Sequence, residues 1–262
     1  MSSPADFPKK RLGQHFLKDP NTARIVAAGI TRADVVLEVG PGRGFLTNFL
    51  AEKARLVHAV ELDPDVLPAL RLAVGHHPNV KVHEADALTF DYASLRPAPN
   101  RLVANLPYNI ASPLVLRVLE EIESVRSLRF MVQLEVARRM AAARGSKDYS
   151  AYAVLVQLFA VVKVAHKVSP NVFDPPPRVQ SAIVDVKRKE GDLRAKEYGG
   201  VKSLVLAAFR SRRKRLANNL PEPVRREAAV ALASLGFSPD SRAEELDPES
   251  FVALWHKLSW AF

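Results

Sequence analysis

Short runs of apolar, largely β-branched residues alternate with segments of helical period through the first half of the chain. Five runs are predicted strands, at residues 35–39, 56–61, 80–84, 101–105 and 128–133. Runs that are almost continuously apolar are buried on both faces, and strands separated by helices form a parallel sheet with helices on either side. We therefore predict a doubly wound, Rossmann-like α/β domain that binds ligands at the carboxyl ends of its strands.

The pattern of predicted strands and helices differs in the second half of the chain. Two further predicted strands, 160–168 and 182–186, flank a proline-rich loop at 170–178 and are expected to close the sheet with an antiparallel edge. After residue 191 only helical patterns remain, at 202–218, 224–235 and 248–257. We predict a basic, flexible N-terminal tail (1–11), an α/β domain (12–190) and a small all-helical C-terminal domain (191–262).

A glycine-rich turn follows the first predicted strand. Gly40-Pro41-Gly42-Arg43-Gly44 lies between that strand and a helical run at 45–52, and glycines let a ligand approach the backbone closely. The dinucleotide fingerprint needs a further glycine where this chain has Phe45, and no Gly-Lys-Ser/Thr follows as a Walker A loop requires. The turn therefore favours a nucleoside ligand over NAD or ATP.

Carboxylates stand at the ends of neighbouring predicted strands. Glu61 ends the second strand, where an acidic side chain accepts hydrogen bonds from ribose hydroxyls, and Asp86 follows the third, where its partner would be the amine of the cofactor's adenine. Glu38 lies beside the glycine turn and could orient either the turn or an ammonium group. Each carboxylate alone could be a solvated strand end. Together with the turn, they favour S-adenosylmethionine, a nucleoside cofactor without a phosphate.

The loop Asn105-Leu106-Pro107-Tyr108 ends the fourth predicted strand. An amide oxygen and a backbone carbonyl can accept hydrogen bonds from an exocyclic NH2 group, the proline fixes the loop, and the aromatic ring stacks on a base. In isolation the pattern is more typical of a strand end followed by a proline turn. Beside the glycine turn it indicates methylation of adenine N6, with Asn105 and the Leu106 carbonyl as the two acceptors.

The charge of the chain favours a polyanionic partner. It has 38 lysine and arginine against 28 aspartate and glutamate residues, a net charge of +10. A dense basic run lies on the predicted helix 202–218, where it would meet RNA phosphates, although such a run can also be a solvated face. The run is Arg210, Arg212, Arg213, Lys214 and Arg215, and Lys9, Lys10 and Arg11 are expected to contact the RNA from the opposite side.

The absence of cysteine excludes disulfides, thiolate metal sites and methylation through a covalent cysteine adduct. We predict no metal site. No stretch reaches the roughly 18 uninterrupted apolar residues of a membrane span, and the polar start does not have the pattern of a signal peptide. We therefore expect a soluble, cytoplasmic monomer.

Nine stretches of the chain match the motifs of one known family. They are residues 13–17, 37–42, 61–63, 86–88, 105–113, 133–138, 145–149, 173–179 and 208–220. On these stretches the sequence resembles the ribosomal RNA adenine N6-dimethyltransferases, specifically the small-subunit branch. The resemblance implies a class I S-adenosylmethionine-dependent methyltransferase domain followed by a helical RNA-binding domain.

The resemblance also implies roles for individual residues. It implies that the S-adenosylmethionine pocket is lined by His15, Leu17, Gly40, Glu61, Asp86 and Asn105. It implies that the target adenine is held by Asn105, Leu106, Tyr108 and Phe173, with the base stacked between the two aromatic rings. The family's substrate is a pair of adjacent adenosines in a hairpin loop near the 3′ end of small-subunit (16S) rRNA, so the implied activity is N6,N6-dimethylation during ribosome biogenesis.

Three alternatives stay open. A sister branch that confers macrolide resistance methylates large-subunit rRNA with the same cofactor motifs. Other relatives are non-catalytic ribosome-assembly or nucleic-acid-binding factors, but Glu61, Asp86, Asn105 and Tyr108 are the residue types that catalysis needs. DNA adenine methyltransferases typically have an acidic residue or serine where this chain has Asn105, which favours rRNA.

Overall fold

A computed structural model describes residues 14–191, 195–222 and 224–259. The predicted contacts of Lys9, Lys10 and Arg11 therefore lie outside the described residues. The chain forms two compact units. The first contains the chain through Ala137 together with Val162–Arg188, and the second contains Arg138–Val161 together with the chain from Lys189.

The strands of the chain form one large sheet and one small one. They are β1 (Phe16–Leu17), β2 (Val35–Val39), β3 (Leu56–Glu61), β4 (Val80–Glu84), β5 (Arg101–Asn105), β6 (Ser127–Gln133), β7 (Ala160–Val168), β8 (Phe173–Asp174) and β9 (Ser181–Arg188). The large sheet has the order β4-β3-β2-β5-β6-β9-β7, and β1 pairs with β8 in an antiparallel two-stranded sheet. Every residue of β2 and β3 is buried, as their almost continuous apolar sequences predict.

Five helices begin in the first unit. They are α1 (Pro20–Val26), α2 (Phe45–Ala51), α3 (Leu67–Val74), α4 (Ala111–Glu121) and α5 (Leu134–Met140). The apolar stripe of α4 is buried at Leu114, Val115, Val118 and Leu119, the spacing of a helix with one face against a core. Asp19 begins α1 by accepting a hydrogen bond from the Thr22 N–H at 2.7 Å, and Pro20 occupies the first helical position.

The sheet places the carboxyl ends of three strands at a topological switch point. β2 pairs in parallel with β3 on one side and with β5 on the other, with Glu38 opposite Ala59 and Leu37 opposite Leu102. The order in which strands are added to the sheet reverses here, because β3 and β4 lie on one side of β2 and β5, the next strand along the chain, lies on the other. A crevice opens at such a point in a doubly wound sheet, and ligands bind there.

The predicted fold class is confirmed. The predicted strands at 35–39, 56–61, 80–84, 101–105 and 160–168 have the observed bounds, whereas β6 and β9 extend beyond the predicted 128–133 and 182–186. The antiparallel edge is confirmed for β9, which pairs with β6 through Phe130 and Val184. The pairing of β1 with β8 was not predicted, because two residues are too few to show a period.

In the described residues of the second unit, the regular secondary structure is helical apart from the first two residues of β7. Its helices are α6 (Ala151–Phe159), α7 (Ala195–Ala208), α8 (Leu216–Asn219), α9 (Val224–Ser234) and α10 (Pro248–Leu258). Residues 138–161 belong to this unit, whereas the predicted α/β domain (12–190) included them. None of the described helices is both long and apolar enough to span a membrane.

The prediction of a single helix over 202–218 is wrong. α7 ends at Ala208, and a turn separates it from α8. The Asn219 side chain donates to the carbonyls of Ala208 and Ser211 at 2.6 and 2.9 Å, which satisfies carbonyl groups that a continuing helix would have used. The basic run from Arg210 to Arg215 therefore lies in a turn and not along one helical face.

Candidate active site

One cavity of about 590 Å³ lies at the carboxyl ends of β2, β3 and β5. Its lining includes His15, Leu17, Glu38, Gly40, Gly42, Glu61, Asp86, Asn105, Leu106, Pro107 and Tyr108. The structure thus brings together every predicted cofactor residue and all the predicted catalytic residues except Phe173. The volume is typical of a site for one small molecule, for which cavities of roughly 300–1,000 Å³ are usual.

The glycine turn lies against the loop that follows β5. Gly40 and Gly42 have φ angles of +68° and +56°, a conformation that residues with a Cβ rarely adopt. A Cβ on Gly40 would lie 2.8 Å from Pro107 Cγ and 2.9 Å from its Cδ. Glycine is therefore required at position 40 both by the backbone conformation and by the close approach of Pro107.

Glu61 connects the end of β3 to the glycine turn. Its Oε2 accepts a hydrogen bond from the Gly42 N–H at 3.0 Å, and its Oε1 accepts from the N–H groups of Leu62 and Asp63, each at 2.9 Å. Burial raises the pKa of the Glu61 carboxyl, and these three donors oppose the rise. Asp86, after β4, accepts from the Leu88 N–H at 2.8 Å through Oδ1.

The Asn105 side chain has one satisfied and one unsatisfied end. Its Nδ2 donates to the backbone carbonyl of His15 at 2.9 Å. Because that carbonyl can only accept, the amide is fixed with Oδ1 on its other side. Oδ1 is buried and has no hydrogen-bond partner within the described part of the chain. A buried acceptor without a donor costs about 1–3 kcal/mol, so this site suits a ligand that brings an N–H group to Oδ1.

The sequence profile of the ribosomal RNA adenine dimethylases matches residues 6–259, almost the whole chain. The chain belongs to the ribosomal RNA adenine dimethylase family. Members of this family are S-adenosylmethionine-dependent methyltransferases, and the chain is accordingly an enzyme of that class. The family resemblance inferred from the motifs is confirmed by this match.

Individual relatives resemble the chain over both units. The ribosomal RNA small subunit methyltransferase A of Rubrobacter xylanophilus is 70% identical over 252 residues, which are 96% of this chain and 95% of that protein. The crystal structure of a dimethyladenosine transferase from Plasmodium falciparum has a TM-score of 0.81 and 26% identity, covering 94% of this chain and 98% of that one. The crystal structure of 23S rRNA methyltransferase ErmE has a TM-score of 0.72 and 29% identity, covering 93% of this chain and 99% of that one.

The pocket of this dimethylase fits S-adenosylmethionine. Two buried oxygens in it, Asn105 Oδ1 and Glu38 Oε2, have no donor within the described residues, and Glu61 and Asp86 add two more carboxylates. The lining is therefore rich in acceptors. S-adenosylmethionine carries a sulfonium, an ammonium, two ribose hydroxyls and an adenine amine, which supply the positive charge and the donors that such a lining needs.

Tyr108 is held in place by a hydrogen bond and by a neighbouring ring. Its hydroxyl lies 2.5 Å from Ser181 Oγ, and its ring centroid lies 5.4 Å from that of His15. Burial raises the pKa of the Tyr108 hydroxyl, which keeps it neutral. His15 is itself fixed, because its Nδ1 lies 2.8 Å from the Pro175 carbonyl. The ring of Tyr108 is therefore oriented before any base enters.

The structure corrects the prediction for Phe173. Its side chain is fully buried in the hydrophobic core and does not line the cavity. In the β1–β8 pair it lies opposite Leu17, and both residues belong to that core. An aromatic residue with no polar atom gains more from this burial than from exposure in a polar pocket. As placed, the Phe173 ring cannot stack on a base in the cavity.

Segment 14–18, where the described part of the chain begins, contributes more of the pocket than His15 and Leu17 alone. Gln14 donates to Asp63 at 2.8 Å, and the Arg43 guanidinium lies over the Phe16 ring at 4.5 Å from its centroid. All three of Gln14, Phe16 and Arg43 line the cavity. None of the three was predicted as a site residue, although Gln14 and Phe16 lie in the family motif at 13–17 and Arg43 lies in the glycine turn.

Glu38 is the most perturbed carboxyl of the pocket. It is 1% exposed, and its Oε2 has no partner within the described residues. Burial, together with the nearby charge of Glu61, raises the pKa of Glu38 to about 8. Burial therefore favours the protonated form of this carboxyl.

We expect the Glu38→Gln substitution to flatten the pH dependence of folding stability. Between the ordinary pKa of 4.5 and the folded value of about 8, the folded chain holds a proton that the unfolded chain has lost. The contribution of Glu38 to the free energy of unfolding is therefore most favourable below pH 4.5. It falls as pH rises through the window, by about 1.4 kcal/mol per pH unit. Urea unfolding at several pH values across the window measures this slope. Equal slopes in wild type and variant would contradict the expectation.

The predicted RNA-binding run divides into paired and unpaired cations. Arg212 contacts the Glu244 carboxylate, and Arg215 lies 2.7 Å from Asp240. Arg210, Arg213 and Lys214 are exposed and have no ion-pair partner among the described residues. Mutual repulsion of the run is thus relieved partly by carboxylates of the same unit, and three cations are left for an external anion.

Proposed function

We propose that this protein transfers two methyl groups to N6 of each of two adjacent adenosines in the 3′-terminal hairpin loop of small-subunit rRNA. The observation that carries the proposal is the buried Asn105 Oδ1, which belongs to a residue that lines a cofactor-sized cavity and has no donor within the described chain. The choice of the small subunit is supported by the name of the relative that is 70% identical, a small-subunit methyltransferase, whereas ErmE, named for 23S rRNA, is 29% identical.

Asn105 and Leu106 would make N6 nucleophilic. The lone pair of this amine is delocalised into the adenine ring, so it becomes reactive only as the nitrogen turns tetrahedral. Two acceptors, Asn105 Oδ1 and the Leu106 carbonyl, would take both N–H bonds and direct the lone pair at the methyl group. Their interaction grows as positive charge develops on nitrogen, so it favours the transition state over the bound substrate.

Tyr108 would orient the base on one face. Its ring is fixed by Ser181 and His15, and a preoriented aromatic surface places N6 without further loss of side-chain entropy. Since Phe173 is buried, the adenine stacks on one ring and not between two. Pro107 has no N–H group, so the loop presents no donor there to compete with the carbonyl acceptors.

The cofactor residues have distinct roles in this proposal. Glu61 would accept from the ribose hydroxyls, Asp86 from the adenine amine of the cofactor, and Glu38 would face its ammonium group. Gly40 and Gly42 let Pro107 and Phe16 pack closely against the glycine turn and so shape the wall of the cofactor pocket, while His15 and Leu17 would cover the cofactor. We further propose that the enzyme acts as a cytoplasmic monomer during small-subunit biogenesis, with Arg210, Arg213 and Lys214 contacting rRNA phosphates.

The test is methyl transfer from radiolabelled S-adenosylmethionine to small ribosomal subunits that lack the modification, with large subunits and duplex DNA in parallel. We expect label in adenosines of the small subunit only, recovered as N6,N6-dimethyladenosine after digestion. Label in the large subunit would assign the enzyme to the other rRNA branch. Tight binding of small subunits without label would overturn the catalytic proposal in favour of an assembly factor.

A further inference from the structure

Arg212 is engaged within the second unit although it belongs to the basic run. Its guanidinium contacts the Glu244 carboxylate through Nε and the carbonyls of Lys147 and Ser146 through Nη1 and Nη2, the last at 2.8 Å. All three nitrogens of the side chain thus donate to groups of the same unit. A guanidinium bound in this way has little capacity left for a phosphate.

The loop that Arg212 contacts is attached at further points. The Gly145 N–H donates to the Glu244 carbonyl at 2.8 Å, and Arg144 lies 3.0 Å from Asp247. The Tyr149 side chain is 1% exposed and its hydroxyl donates to the Leu246 carbonyl at 3.0 Å. Loop 144–149 is therefore fixed against the segment that precedes α10.

Fixing this loop brings Lys147 close to the turn that carries the basic run. The Lys147 carbonyl contacts the Arg212 side chain, and Arg213 and Lys214 follow Arg212 directly. Lys147, Arg213 and Lys214 are exposed, and none has an ion-pair partner among the described residues. The exposed Asp148 offsets one of these charges but leaves the group cationic.

We propose that Lys147, Arg213 and Lys214 form one phosphate-contacting surface for RNA, and that Arg212 with Glu244 positions it without touching the RNA. The inference rests on the proposed function, since it assigns the rRNA contacts of the same enzyme. The surface joins two segments that lie 65 residues apart in sequence, linked by the bond between Arg212 and the Lys147 carbonyl. Its partner is the RNA backbone, because most contacts of exposed lysine and arginine side chains with nucleic acids are to phosphates, which hold the protein without reading sequence.

The Glu244→Gln substitution separates this arrangement from simple charge attraction. Removing a negative charge beside the basic run should strengthen RNA binding if Arg212 were itself a phosphate ligand. If Glu244 positions Arg212, and Arg212 positions the loop, the same change weakens binding. We expect a several-fold higher Kd for deproteinised small-subunit rRNA, and faster tryptic cleavage after Arg144 or Lys147 as the loop loosens. Unchanged or tighter RNA binding would overturn the inference.

The Lys147→Ala substitution tests the contact itself. Loss of one phosphate contact is expected to reduce the slope of log K against log salt by about one. The matched control is Lys257→Ala, because Lys257 is an exposed lysine of the same unit near the end of α10. It lies roughly 14 Å along the helix axis from Pro248, the end of α10 that follows the segment contacting loop 144–149. The control should leave the slope unchanged. An equal slope in Lys147→Ala and wild type would remove Lys147 from the surface.

Binding is measured without cofactor, so the outcome is independent of methyl transfer. If wild-type protein fails to methylate small subunits but the Lys147 slope change is found, the proposed function fails and the surface stands. If the wild-type protein methylates small subunits, but Lys147→Ala leaves the salt slope unchanged and Glu244→Gln does not weaken RNA binding, the surface fails and the proposed function stands. Equal melting temperatures in all variants establish that the changes in binding are local.

Discussion

Replacing Asn105 with alanine is expected to lower kcat for methyl transfer about 100-fold or more, the usual effect of removing one group that stabilises transition-state charge. The substitution removes the buried Oδ1 that has no partner in the described chain, and with it one of the two acceptors for the N6 amine. The interaction is stronger in the transition state, so KM for RNA should change much less than kcat. Single-turnover transfer to small subunits, at saturating cofactor and RNA, measures the effect on the chemical step.

The two ends of the Asn105 amide can be tested separately. Asn105→Asp keeps an acceptor but loses the Nδ2 donor to the His15 carbonyl, so its kcat should fall between those of wild type and Asn105→Ala. Asn171→Ala is the matched control, because Asn171 is an exposed asparagine of the same unit that does not line the cavity. If Asn105→Ala kept kcat within a few-fold of wild type, the N6 amine would have to be held by other groups.

The sequence predicted the sheet and most of the pocket for one physical reason. Strands buried on both faces are almost continuously apolar, so their bounds can be read directly, and parallel strands bring their carboxyl ends to one edge. Glu61, Asp86 and Asn105 stand at such ends, and their convergence on one cavity followed from the fold class.

The missed features all depend on contacts between distant segments. Phe173 was assigned to the base on the family resemblance, and its burial against Leu17 was missed because it requires β1 and β8 to meet, each of which has only two residues. The orientation of the Asn105 amide depends on a carbonyl 90 residues away, and the end of α7 depends on the Asn219 side chain in α8. No local pattern carries such information, whereas the periodicity of a strand or helix is local by nature.

Replacing Gly40 with alanine is expected to remove cofactor binding and methyl transfer together. The φ angle of +68° makes any Cβ unfavourable there by about 1–2 kcal/mol. The added methyl would also lie 2.8 Å from Pro107 Cγ, so the glycine turn or the loop that carries Asn105 must move. A displacement of about 1 Å can reduce turnover 100-fold, and the same displacement disturbs the wall of the cofactor pocket. Calorimetric titration with S-adenosylmethionine and the transfer assay measure the two losses.

Gly29→Ala separates the steric contact with Pro107 from the energetic cost of a Cβ at a positive φ angle. Gly29 has a φ angle of +78°, close to that of Gly40, but the nearest atom to its added Cβ is Arg101 Nη1 at 3.9 Å. Both variants should therefore lose a similar amount of stability from the backbone, while only Gly40→Ala should lose cofactor affinity. Equal cofactor affinity in the two variants would show that the turn and the Pro107 loop move apart without consequence. The close approach of Gly40 to Pro107 would then not be needed for cofactor binding.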